Sequence, residues 1–167
     1  MKKEQNLKHN AIVFLTAALM LFGASLYAGG DTPSPVYTKV IEGGDYEESL
    51  NTLKEVIKGK GINIAHTLPP SEMLERTGPA FGVTEKVLEN GEMVEFCSAK
   101  ISHKLIMANF ENISLCPFSI SIYVLTADPE NVRLSYRKPY VLDEASKEAV
   151  AEMTALMEEI ITETAEW

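Results

Sequence analysis

Apolar and polar positions alternate most regularly between Pro117 and Leu125. Phe118, Ile120, Ile122 and Val124 fall on one side, and Ser119, Ser121, Tyr123 and Leu125 on the other. That period of two is the signature of a strand. Val132, Leu134 and Tyr136 repeat it against Arg133, Ser135 and Arg137. The turn-forming run Asp128-Pro129-Glu130-Asn131 between them predicts a hairpin. Val36–Ile41 and Ile62–Thr67 are further predicted strands. Asn90-Gly91 separates Val83–Glu89 from Glu92–Cys97. Both residues of a tight hairpin turn need positive φ, which Asn-Gly supplies, so a second hairpin is predicted there.

Helical spacing governs the rest. Tyr46, Leu50, Leu53, Val56 and Ile57 form one stripe. Asp45 and Glu48 stand at capping-box spacing before it, and Gly59 and Gly61 end it. Pro69-Pro70 leads into a short predicted helix, Ser71–Thr77, stopped by Gly78. Ser98–Asn109 carries Ile101, Leu105 and Ala108 on one side. A long helix capped by Asp143 carries Val150, Met153, Met157, Ile160 and Ile161, with Ala149 and Leu156 alongside. Glu158, Glu159, Glu163 and Glu166 crowd its negative dipole end and are expected to fray the last turn. The order β-α-β-α-β-β-α-β-β-α predicts a single α+β domain, with a twisted, mostly antiparallel sheet and helices on one face.

The first 35 residues read differently. Lys2, Lys3 and Lys8 precede an apolar run from Ala11 to Phe22, and the small residues Gly23, Ala24, Ser25 and Ala28 follow. This is the layout of a secretory signal, so residues 1–28 are predicted to be a signal peptide, cut after Ala28 or alternatively after Ser25. The apolar run falls short of the ~20 residues a spanning helix needs. No membrane anchor is therefore expected after cleavage, and no cysteine near the junction invites a lipid. The predicted destination is the periplasm. Residues 29–35 make a flexible start, 36–142 the core, and 143–167 an amphipathic helix packed on it.

Charge narrows the partners. The chain carries a formal −9. Without Lys2, Lys3, Lys8 and Glu4 it keeps 12 basic and 23 acidic residues, a formal −11. Nucleic acid requires clustered cations, and anionic membrane surfaces likewise, so neither is expected. A cationic partner such as a basic cytochrome is admitted, although solubility is the plainer reading of net acidity.

Several short stretches add a resemblance. They are Asp45-Tyr46-Glu47-Glu48-Ser49-Leu50, Lys60-Gly61-Ile62-Asn63-Ile64-Ala65-His66, Val94-Glu95-Phe96, Leu115-Cys116-Pro117-Phe118 and Val132-Arg133-Leu134-Ser135-Tyr136. Together with the helix between Phe96 and Pro117, this set resembles the domain of unknown function 302 family over roughly residues 36–141. Cys97-Ser98-Ala99 stands where that family often has Gly-Asn-Pro, and the stretch from Glu85 to Glu92 is longer than usual. The resemblance implies an α+β fold of the TATA-binding-protein-like type and is compatible with a homodimer. It implies no activity, since a fold alone does not carry one.

Cys97 and Cys116 are the only cysteines. In an oxidising compartment a disulfide between them is one expectation. A helix intervenes, and in a parallel crossover the two would lie at opposite ends of the sheet; antiparallel strands would let them meet. A second reading makes Cys97 a reactive thiol, since a helix N-terminus lowers a thiol pKa and His103 follows on the same helix. A third uses Cys97, His103 and Cys116, with His66, as metal ligands, or His103 or Met107 for non-covalent haem. The absence of Cys-x-x-Cys-His excludes covalent c-type haem. His66, His103, Arg133 and Arg137 are candidate ligand-pocket residues; a hydrogen-bonded strand-end role for His66 and a solvated sheet face for Arg133 and Arg137 are the plainer readings. No nucleophile triad, phosphate loop or paired catalytic carboxylate is legible.

Three functions therefore compete. One is an exported, non-enzymatic module that binds a small ligand or serves a periplasmic redox partner. The others are a thiol or sulfur carrier acting through Cys97, and a metal or haem binder.

Overall fold

A computed structural model describes residues 34–167. The predicted signal peptide and most of the flexible start lie outside the described residues. Five strands form one sheet: β1 (Val36–Glu42), β2 (Ile64–Leu68), β3 (Leu88–Phe96), β4 (Phe118–Leu125) and β5 (Asp128–Arg137). Their order is β1-β5-β4-β3-β2, and every neighbouring pair is antiparallel. Among the described residues four α-helices accompany them: α1 (Tyr46–Gly59), α2 (Pro70–Thr77), α3 (Ala99–Ala108) and α4 (Lys147–Ala165). The single-domain α+β architecture expected from the sequence is the one observed. Among the described residues no helix is long and apolar enough to cross a membrane.

Burial follows the period of each element. In β4, Phe118, Ile120, Ile122 and Val124 are buried, while the alternate residues are half-exposed. Val94 and Phe96 of β3 and Val132, Leu134 and Tyr136 of β5 complete that face. Phe96 and Phe118 are cross-strand partners whose rings meet edge to face at 6.1 Å, a favoured aromatic geometry. Helix α1 covers the face with Leu50, Leu53 and Ile57, and α4 with Met153, Met157, Ile160 and Ile161. Lys60, just past α1, joins the two helices through Glu159 at 2.9 Å and Glu163 at 2.8 Å.

The helix starts show local chemistry at work. Asp45 caps α1 by accepting from the Glu48 N–H at 2.8 Å, as its position in the sequence predicts. Asp143 acts one turn earlier than expected. It accepts from the Ser146 N–H and hydroxyl, and α4 begins only at Lys147. Behind it, the fully buried Asn112 donates to Leu105 O at 2.8 Å and to Ser146 Oγ at 2.9 Å. This network ties the 3-10 turn Phe110–Leu115 to the ends of α3 and α4.

Two predicted turns are corrected. Asn90-Gly91 is not a hairpin turn. Strand β3 runs straight through it, and Gly91 pairs with Tyr123 without a positive φ. A shift of register between Leu88 and Asn90 absorbs the irregularity. Val83–Val87 is not a strand, and β2 pairs with β3 instead, Thr67 with Val94. The sheet thus has five strands rather than six. The β4–β5 hairpin exists, but it turns at Thr126-Ala127. Asp128 and Asn131 already belong to β5, where Asp128 accepts from Arg133 and Asn131.

Candidate functional site

The antiparallel pairing of β3 with β4 decides where the cysteines go. Because Phe96 opposes Phe118, the chain leaves β3 at Cys97, makes α3 and the 3-10 turn, and returns at Cys116 beside its starting point. The two thiols are near neighbours, flanking the paired Phe96 and Phe118, and Cys116 is close enough to perturb the Cys97 thiol. The expected obstacle belonged to a parallel crossover, and this connection is not one. Both thiols are free in this structure. Cys97 is exposed, whereas Cys116 is half-buried, packs on the core and meets Ser102 Oγ at 3.3 Å.

The electrostatics of Cys97 differ from those expected at a helix start. Partial burial pushes its thiol up, and the neighbouring Cys116 adds to the rise. A hydrogen bond from the Phe118 backbone N–H works in the opposite direction without reversing it. Cys97 also borders a cleft of about 610 Å³ between the loop after α1, the start of α3 and α4. Lys60, Asn63, Lys100 and Glu152 supply its polar wall, and Leu156 part of its apolar floor.

The remaining candidates are scattered. His66 is an exposed residue of the edge strand β2, opposite Glu95. His103 and Met107 are exposed on α3. Arg133 is held by Asp128, while Arg137 lies four residues along β5, exposed and opposite Val36. None of His66, His103, Arg133 and Arg137 lines any of the three principal cavities among the described residues. Among those residues no three of His, Cys, Asp and Glu converge as a metal-ligand group, so Cys97, His103 and Cys116 do not make one.

A different site emerges beside β3. Helix α2, the 3-10 turn Gly78–Phe81 and the strand-less segment 82–87 enclose a groove of about 460 Å³. Met73, Leu74, Phe81, Val83 and Val87 line it and remain exposed, Phe81 by 80%. The groove is anchored at one end by Ser71 Oγ donating to Gly91 O at 3.0 Å. At the other, Val83 N–H donates to Gly78 O at 3.0 Å. Gly78 is required there, since a Cβ would stand 2.7 Å from Val83 O. Gly82 turns the chain back with φ of 73°. Lys86 is paired with Glu89, which leaves Glu75 and Glu85 as the unpaired rim charges among the described residues.

Sequence reading missed this groove because Val83 and Val87 look like strand residues. Two signals pointed the other way. Pro79 and Gly82 interrupt the approach to the supposed strand. Met73 and Leu74 also give the short helix an apolar side with nothing assigned to cover it.

The comparisons with known proteins agree with this architecture. A model of the family described as Domain of unknown function DUF302 matches residues 37–164. The fold is similar to that in a crystal structure of an uncharacterized conserved protein DUF302 from Bacillus stearothermophilus, with a TM-score of 0.64 and 17% sequence identity. That similarity covers 77% of this chain and 97% of the other. No curated protein sequence matches the chain. With its α+β fold in place and most of its length matched, the chain belongs to the DUF302 family.

Proposed function

We propose that the protein is an exported, non-enzymatic binding module that holds a small, neutral or cationic apolar molecule in the groove between α2 and residues 82–87. One observation carries this reading: five large apolar side chains stay exposed around a single concave space of about 460 Å³. Small-molecule sites have this size and this lining. Each ~100 Å² of apolar surface that a ligand covers supplies about 2.5 kcal/mol, before the costs of association. Glu75 and Glu85 at the rim disfavour an anion. Export rests on the sequence of the first 28 residues, whose charged start and short apolar run fit a cleaved signal.

Nile red, a neutral apolar dye, provides the test. Saturable one-to-one binding to the purified protein is expected. Leu74→Glu changes a half-exposed side chain and should leave the fold intact while weakening binding by at least about tenfold, or ~1.4 kcal/mol. Unchanged binding in that variant refutes the groove. So does a wild-type dimer that takes up no dye and that Leu74→Glu converts to monomer, because the groove's occupant would then be a second copy of the chain.

A further inference from the structure

We propose that Cys97 and Cys116 form an intramolecular disulfide by exchange with a low-molecular-weight disulfide that enters through the cleft beside α3. This inference is independent of the groove. It stands on the placement of two thiols 19 positions apart in sequence, brought side by side by the antiparallel β3–β4 pairing. The two differ in access, which gives each a role. Cys97 is exposed and borders the 610 Å³ cleft, so it meets the reagent first. Cys116 is half-buried, packed on the core and against Ser102, so it is the less accessible of the two.

The exchange balances in two displacements. Cys97 loses its proton to solvent, and its sulfur attacks one sulfur of R–S–S–R. The S–S bond breaks, and the first thiolate leaves and takes up a proton. Cys116, also deprotonated, then attacks Cys97 Sγ and expels the second thiolate. The protein loses two protons and two electrons, and the reagent gains them as two R–SH. Burial holds the thiol pKa up. Exchange is therefore slow at neutral pH, and the closed bond is slow to reopen because a high-pKa thiol leaves reluctantly. These properties describe a lasting clip across the α3 excursion rather than a turnover catalyst.

Reduced protein is incubated with oxidised glutathione at pH 8, quenched with acid and analysed by intact mass and peptide mapping. The wild type is expected to lose the mass of two hydrogens, with Cys97 and Cys116 joined in one cross-linked species. Cys116→Ser is expected to accumulate one glutathione on Cys97, and Cys97→Ser to react far more slowly. The oxidised wild type should unfold at a higher urea concentration than the reduced form. A wild type that retains two alkylatable thiols, or carries persistent glutathione on Cys97, overturns the proposal. Equal midpoints for the two forms overturn it also, without recourse to any variant.

Discussion

Asn112 offers the sharpest test of how the α3–α4 end of the molecule is held. Its side chain is fully buried, with the amide donating to Leu105 O and Ser146 Oγ. Truncation in Asn112→Ala removes two hydrogen bonds, each contributing about 1 kcal/mol net. Two features limit the cost. Leu105 O still accepts from the Asn109 N–H, and Ser146 Oγ still donates to Asp143. The Asn112 carbonyl oxygen also lacks a partner within the protein, so its removal relieves a small penalty. The net loss expected is roughly 2 kcal/mol, which lowers a urea midpoint by about 1.3 M at a slope of about 1.5 kcal/mol/M. Asn112→Asp differs by one group yet should cost more, roughly 3 kcal/mol or above at neutral pH. The new carboxylate has no hydrogen to give Leu105 O and places charge in a dry site. Its deficit should shrink as acid protonates that carboxyl. Urea unfolding followed by circular dichroism measures both variants. If the aspartate variant is as stable as the alanine variant at pH 7, the buried-donor account of this network is wrong.

Acid provides a second measurement. Hydrogen bonds from Ser146 and Asn109 hold the Asp143 carboxyl below the usual carboxylate range. Its contribution is therefore complete above the unfolded value of about 4 and is lost as pH falls through the lower folded value. Asp143→Asn should be less stable than wild type at pH 7, with the gap closing below about pH 4; a gap that stays constant across that window would show that the charge is not what matters. Gly91 supplies a third. In strand β3 its added Cβ would meet Leu88, Tyr123 and Ser71 at 3.4–3.6 Å, ordinary contact distances. Gly91→Ala should change stability by less than about 1 kcal/mol; a loss well beyond that, in the same urea assay, would restore the rejected hairpin turn with its positive φ.

How much of this was legible depended on the range of the interaction that decides each feature. Strand β4, the α1 cap at Asp45 and the α4 stripe are set by neighbours within a few residues, and the sequence shows all of them. Asn90-Gly91 has the same local signature as a true hairpin turn. What overrides it is distant: β2 supplies one partner for β3 and β4 the other, so both edges of the strand are satisfied without folding back. Once Val83–Val87 has no strand to join, its valines turn toward α2 and the groove appears. The cysteines follow the same logic. Nothing near Cys97 or Cys116 says that they meet; the sheet order β5-β4-β3 does, because it makes the chain return antiparallel to where it left. Local chemistry therefore names the reactive side chains, while strand pairing decides which of them share a site. Arg133 shows the converse. It looked free to bind an anion until the bulged end of β5 placed Asp128 against it. A binding residue in this fold is recognisable only after the sheet has claimed its partners, and the apolar groove is what the sheet left over.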